Sequence, residues 1–178
     1  MILDIFKYTG LLLLLLILQV LILNYVRVEY SWGFMFHPQV YIMFILLLPP
    51  SIQHNYLILI CFAIGLGFDM FSNTPGIHAA ACVMIGFIRG FITRNIDKEI
   101  SAREEDNKIW TSKKSTGWKL VYFLVLVSIH HFMVFTLEAW DIGVFITRTL
   151  PTILVSITLT MLLVLILEDL LFRPAKNN

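Results

Sequence analysis

Charged residues are scarce in this sequence. Only 14% of the 178 residues are charged, 58% are hydrophobic and the mean hydropathy is +0.83. Soluble domains carry about 25% charged and about 45–50% apolar residues, and a chain of this size cannot bury so much apolar surface in one core. The composition therefore excludes an ordinary soluble domain and favours a protein whose surface faces lipid.

Other scarcities exclude further classes. The two cysteines, Cys61 and Cys82, lie in apolar runs without metal or redox spacing, so we expect no metal and no cofactor. The net charge of +1 is unlike that of a nucleic-acid-binding protein. The sequence contains no HExxH, no Walker loop and no GxSxG elbow, and Asp69 has no second intramembrane aspartate with which to share a proton. We therefore predict that the protein is not an enzyme.

Six apolar runs approach the length of about 20 residues that a spanning helix needs. They predict a single domain over residues 1–178, an all-α integral membrane protein of six transmembrane helices. Pro38 lies near the start of the second run, and Pro49 and Pro50 cut it off. The predicted spans lie near residues 5–24, 34–50, 55–71, 77–93, 118–137 and 144–168.

The distribution of Lys and Arg predicts the orientation. Ten of the thirteen basic residues fall at the two ends of the chain or in the charged segment 94–117 and its flank, and basic residues concentrate on the cytoplasmic side. We therefore predict a multi-pass protein of the plasma membrane with both termini and the loop 94–117 in the cytoplasm. That loop mixes both signs of charge, which fits either a solvated helix or a docking surface for a partner.

Ionisable residues inside the predicted spans are few, and each is a candidate functional residue because such groups are costly in lipid. Asp69 and His78 flank the short turn between spans three and four, where they could face each other. Asp69 either caps the start of span four or contacts a partner. If it is a cap, Asp69→Asn should be tolerated, because an amide can also cap a helix.

The other ionisable candidates lie further along the chain. We expect Arg89 to extend to the cytoplasmic interface. His131 and Glu138 are seven residues apart on one helical face, compatible with a partner interface, whereas His130 and His131 could also be satisfied inside the bundle. Span six carries a stripe of hydroxyl residues, which usually join helices: Thr149, Thr152, Ser156 and Thr160.

Small residues recur every four positions in spans three and four, where Cys61, Gly65 and Asp69 share one face and His78, Cys82, Gly86 and Gly90 share another. Glycines at such positions let two helix backbones approach closely. Gly65, Gly86 and Gly90 are therefore predicted to pack the two helices together.

This layout resembles the bacterial rod shape-determining MreD family. The resemblance rests on the leucine-rich first span that runs into Gln19-Val20, on a second span that closes as Phe44-Ile45-Leu46-Leu47-Leu48-Pro49, and on one further block. That block is similar to the family's Gly-x-x-x-Asp, short turn, Gly-x-x-x-Ala core and comprises Gly65-Leu66-Gly67-Phe68-Asp69 followed by Pro75-Gly76-Ile77-His78-Ala79-Ala80-Ala81.

The resemblance implies a non-enzymatic scaffold of the bacterial cell-elongation machinery, which builds peptidoglycan and maintains rod shape. Its implied partners are an MreC-like bitopic protein, a RodA-type polymerase, a class B penicillin-binding protein and an MreB-like actin. The family also looks like the six-span S-components of vitamin transporters, so the alternative function is a small-solute-binding transporter subunit. Span one lacks the Ala-x-x-x-Ala motifs with which S-components contact their coupling subunit.

Overall fold

The chain folds into a helical bundle, here given by a computed structural model that describes residues 2–24, 36–93, 115–139, 143 and 145–172. The side chains of residues 2–7 and 172 are not part of that description. The prediction of an all-helical chain is confirmed for these residues. The helices are α1 (Ile2–Ile17), continued by a π-helical turn (Leu18–Leu23), α2 (Ile42–Leu47), α3 (His54–Ser72), α4 (Ile77–Phe91), α5 (Thr116–Glu138) and α6 (Leu150–Phe172), which a second π-helical turn precedes (Phe145–Thr149).

Three of the helical stretches are long and apolar enough to cross a membrane: His54–Ser72, Thr116–Glu138 and Phe145–Leu171. Two further helical stretches are also apolar but shorter: Tyr8–Leu23 and Ile77–Phe91. These helices are compatible with a membrane protein. The predicted loop 94–117 lies outside the described residues except for its last three, where the Ser115 hydroxyl caps α5 by accepting a hydrogen bond from the Trp118 N–H (3.3 Å).

The surface of the bundle, like its core, is rich in apolar side chains. Large apolar side chains cover the outside, with Met70 80% and Leu170 75% exposed. The interior holds many polar side chains, which a lipid-facing surface would have to exclude. The buried polar residues are Gln19, Gln39, Asp69, His78, Arg89, Thr93, His130, His131, Thr152, Ser156 and Thr160.

Successive elements run in alternating directions between two ends, which we call the Asp69 end and the Arg89 end after the residues on α3 and α4. Asn24, at the close of the first helix, and Glu138, at the close of α5, both border a cavity beside His78. At the opposite end, Lys119 near the start of α5 forms an ion pair with Glu168 near the end of α6 (2.7 Å). The first helix therefore begins, and the last helix ends, at the Arg89 end.

The second predicted span differs most from its prediction. Only Ile42–Leu47 is helical, and residues 36–39 before it form no regular structure. Every side chain from Pro38 to Leu48 is buried. Pro38 has no N–H to give to a helix and restricts the residue before it, while Pro49 and Pro50 end α2. We call residues 36–48 the core segment, because the long helices surround it.

Helices α3 and α4 pack closely through their glycines. A Cβ atom at Gly65 would lie 2.5 Å from the Cα atom of Ala79, and one at Gly86 would lie 2.5 Å from the Cys61 sulfur. Real Cβ atoms do not approach other atoms this closely, so a side chain at Gly65 would have to displace backbone, whereas one at Gly86 would have to displace the Cys61 side chain. Gly90 is also buried on α4. The structure thus shows a close backbone contact at Gly65 and a backbone-to-side-chain contact at Gly86.

Candidate functional site

The turn between α3 and α4 depends on two residues in the left-handed region. Asn73 ends α3 with a φ of 56°, and Gly76 precedes α4 with a φ of 87°. Asparagine tolerates this region better than most residues, and glycine enters it without steric penalty. The two residues reverse the chain within four positions, which brings the first turn of α4 back over Asp69.

The Asp69 carboxylate is the centre of this turn. Its Oδ1 atom accepts hydrogen bonds from the Thr74 hydroxyl (2.9 Å), the His78 backbone N–H (3.0 Å) and His78 Nδ1 (2.9 Å). Its Oδ2 atom accepts from the backbone N–H groups of Gly76 (3.1 Å) and Ala79 (3.0 Å). These amides belong to the unpaired start of α4, so the carboxylate caps that helix from α3. This is the capping interpretation that the sequence left open beside partner contact.

The His78 ring is fixed in one tautomer. A carboxylate only accepts, so the proton that joins His78 to Asp69 resides on Nδ1. The Thr74 hydroxyl donates to Asp69 and therefore accepts from the same Nδ1–H (2.9 Å). His78 is 3% exposed and packs edge-on against the ring of Phe68. The two predicted site residues Asp69 and His78 are in direct contact.

The core segment has no helical hydrogen bonds over residues 36–39, and side chains of other helices replace them. The Gln19 carboxamide donates to the Pro38 carbonyl (3.0 Å) and accepts from the Val40 N–H (2.7 Å). The Ser156 hydroxyl accepts from the His37 N–H (3.1 Å) and the Thr160 hydroxyl from the Gln39 N–H (3.0 Å). A buried backbone group left unpaired would cost about 1–3 kcal/mol, so these side chains hold the segment in place.

His131 extends this polar chain. Its Nδ1 lies 2.9 Å from the Val127 carbonyl, which only accepts, so Nδ1 carries the proton. Its Nε2 then accepts from the Thr160 hydroxyl (3.0 Å), which in turn accepts from the Gln39 N–H. His131 and its neighbour His130 are both fully buried. The Nε2 atom of His130 lies 2.9 Å from the Tyr41 hydroxyl. The structure places His131 inside the bundle, which is one of the two alternatives that the sequence left open.

Arg89 does not extend to the interface as predicted. It is 1% exposed, and its Nη2 donates to the Leu48 carbonyl beyond the end of α2. Nearby, the Tyr122 hydroxyl donates to the Leu46 carbonyl (3.2 Å). The cause is the early end of α2 before Pro49, which leaves carbonyls without helical partners. A side chain that binds buried carbonyls cannot also reach the membrane surface.

A cavity of about 270 Å³ lies at the Asp69 end. Two residues that line it each carry a buried polar atom without a hydrogen-bond partner, Oε1 of Gln39 and Oγ of Ser72. Glu138, the last residue of α5, also lines the cavity. The wall further includes the polar residues Gln19, Asn24, His37, Thr74 and His78 and the rings of Phe68, Phe71 and Phe135.

Gln19 and Gln39 were not predicted as site residues, because the prediction relied on Asp, Glu, His and Arg and on a stripe of hydroxyl residues. A polar side chain within an apolar run is itself a signal, since an unpaired amide is costly in lipid. Among the described residues, no group of three His, Cys, Asp or Glu side chains is placed to hold a metal ion. No family model, curated protein or solved structure matches the chain.

Proposed function

We propose that the protein is a membrane scaffold of the bacterial cell-elongation machinery, a member of the MreD family that supports peptidoglycan synthesis and rod shape without catalysing a reaction. The observation that supports this proposal is the structure of the Gly65-to-Ala81 block on which the resemblance rests. Gly65 contacts the backbone of Ala79, and Asp69 caps the helix that carries Ala79. The motif therefore builds one rigid helical hairpin, as a scaffold needs.

The buried polar groups support the same proposal. Asp69 and His78 bind each other and the start of α4, Gln19 and Thr160 bind the core segment, and Arg89 binds the Leu48 carbonyl. Each of these side chains holds the chain's own backbone, directly or through a neighbour. Such groups stabilise a fixed shape, which suits a protein that acts by assembling others. The proposed partners are an MreC-like bitopic protein, a RodA-type polymerase, a class B penicillin-binding protein and an MreB-like actin.

Co-purification from native membranes tests the scaffold proposal. The tagged chain should recover an MreC-like bitopic protein or a peptidoglycan polymerase. Depletion of the chain should turn rod-shaped cells into round cells in the same growth medium. An unrelated multi-pass protein with the same tag is the control for non-specific recovery. Recovery of a transporter ATPase without any cell-wall enzyme would contradict the proposal.

The proposed topology places both termini and residues 94–117 in the cytoplasm. Ser115 precedes α5 at the Arg89 end, and Asn73 follows α3 at the Asp69 end. Labelling of a single cysteine at either position therefore reports which side of the membrane that end faces. In a chain whose buried Cys61 and Cys82 are replaced by alanine, a membrane-impermeant maleimide should label intact cells at Asn73→Cys only. Labelling at Ser115→Cys in intact cells would reverse the orientation.

A small-solute-binding transporter subunit is the second candidate function, and the cavity at the Asp69 end favours it. Its volume of about 270 Å³ is near the lower limit of ligand pockets, about 300 Å³. The same co-purification separates the two candidates, because a transporter subunit should recover its ATPase and a scaffold should recover cell-wall enzymes.

A further inference from the structure

The Gln39 side chain is buried, rigidly placed and incompletely paired. Its backbone N–H is held by Thr160, and its two neighbours Pro38 and Val40 are held by Gln19. The side chain itself is only 4% exposed, yet its Oε1 atom has no partner and the residue lines the cavity. Buried polar atoms are almost always hydrogen-bonded in folded proteins. An unpaired carboxamide on a fixed backbone beside a cavity therefore points to a ligand that completes it.

The chemistry of the wall limits what that ligand is. The described wall contains no lysine or arginine, and its one carboxylate belongs to Glu138, so it does not suit an anion. Glu138 is exposed, whereas Gln39 is buried. Selectivity therefore depends on the buried amide, because a site built to hydrogen-bond rejects analogues that leave it unpaired.

The aromatic part of the wall favours a flat ligand. Phe68, Phe71 and Phe135 line the cavity, and phenyl rings pack against planar groups by stacking or edge-to-face contact. A carboxamide forms two hydrogen bonds at once with a group that carries an N–H and a C=O side by side, because it has both a donor and an acceptor. The volume admits a molecule smaller than a typical drug.

We propose that this cavity binds a small, uncharged, planar solute through an amide-like N–H/C=O edge that pairs with the Gln39 carboxamide. Ser72, whose Oγ atom is also unpaired, offers a further hydrogen bond to the same solute. Binding of such a solute would be a property additional to the scaffold function. If the protein is a transporter subunit, the second candidate function, this solute is the class of molecule that it would bind in the same cavity.

The test compares nicotinamide with 3-acetylpyridine as probes of the purified full chain in lipid nanodiscs. The two molecules share ring and carbonyl, but 3-acetylpyridine lacks the N–H that would pair with Gln39 Oε1. Titrations followed by saturation-transfer NMR should show that nicotinamide binds about tenfold more tightly, the effect of one additional hydrogen bond. Equal affinities, or no binding of nicotinamide, would overturn the proposal.

Two variants locate the binding. Gln39→Met keeps the length of the side chain but removes the amide, so the preference for nicotinamide should vanish. Gln53→Met is the matched control, because Gln53 is exposed at the start of α3, at the Arg89 end, and its preference should equal that of the wild type. Unchanged preference in Gln39→Met would overturn the proposal.

A third variant, Ser72→Leu, covers the case in which Gln39→Met does not fold. Ser72→Leu fills the cavity from α3 and leaves Gln39 in place, so it should abolish binding of both probes while size-exclusion chromatography shows native protein. Retained nicotinamide binding in folded Ser72→Leu would overturn the proposal. Failure here leaves the scaffold proposal intact, because that proposal is judged by the proteins that co-purify.

Discussion

The hairpin of α3 and α4 and the core segment are held by different means. In the hairpin, the hydrogen bonds of Asp69 join residues five to ten positions apart, and both carboxylate oxygens accept at least two of them. In the core segment, His37 and Gln39 bind hydroxyls of α6 that lie 119 and 121 positions away. The hairpin is therefore determined by its own short sequence, whereas the core segment exists only when the other helices surround it.

The two regions also differ in chemistry. Asp69 brings a charge to a helix start, where charge-assisted bonds contribute about 1.5–3 kcal/mol each. The core segment is held mostly by neutral amides and hydroxyls. Each carboxylate oxygen of Asp69 accepts at least two hydrogen bonds, whereas Oε1 of Gln39 in the core segment has no partner. Four substitutions test this comparison, in order of expected effect.

Gly65→Ala should have the largest effect, because the added Cβ would lie 2.5 Å from the Ala79 Cα, and a backbone cannot rotate away. We expect the free energy of unfolding, measured by SDS titration in mixed micelles, to fall by about 3 kcal/mol. Gly67→Ala is the control on the same helix, since nothing lies within 4 Å of its Cβ position. Equal stability of the two variants would show that the close contact does not hold the hairpin.

Asp69→Asn comes next, and the geometry reverses the expectation from sequence that this change is tolerated. An amide has one accepting oxygen, so its NH₂ group would face backbone N–H donors whichever way it is turned. We expect a loss of about 2.5 kcal/mol in the same titration. Thr74→Val, which removes a single hydroxyl from the network, should lose less. If Asp69→Asn is as stable as wild type, the carboxylate does not act as the cap.

Gln19→Leu tests the core segment itself. It leaves the Pro38 carbonyl and the Val40 N–H without partners, and we expect a loss of about 2 kcal/mol. Gln53→Leu makes the same substitution at an exposed site and should match wild type. A neutral Gln19→Leu would mean that the segment is held by packing alone.

Gly86→Ala should have the smallest effect, although its Cβ would meet the Cys61 sulfur as closely as that of Gly65 meets a backbone. Sulfur is the end of a side chain and can turn aside, so we expect a loss of about 1 kcal/mol. Adding Cys61→Ala should relieve the clash, which a double-mutant cycle would reveal as a favourable coupling. Additive losses would indicate that the two residues do not share the contact.

The same contrast decides what could be predicted from the sequence. Asp69 and His78 flank a short turn, and their spacing predicted that they could face each other. A short turn between two helices leaves few possible arrangements of the residues at its two ends. Four-residue spacing also predicted the close contacts of Gly65 and Gly86, and it placed Ser156 and Thr160 on one face of α6. It could not show that Ser156 and Thr160 bind the core segment, because periodicity gives a face and not the group opposite it. Arg89 was misplaced for the same reason: its partner is a carbonyl, which no sequence pattern marks.

The distance along the chain between the core segment and its partners has a consequence for biosynthesis. Ribosomes add about 5–20 residues per second, so Thr160 emerges about ten seconds after Gln39, whose N–H it accepts. During that interval the helices α3 to α5 are made, but residues 36–39 still lack their hydroxyl partners. In a membrane protein this stretch would lie in a medium that offers no water, so we expect it to need shelter until the last helix arrives. Slowing translation after α5 should therefore expose it to membrane proteases.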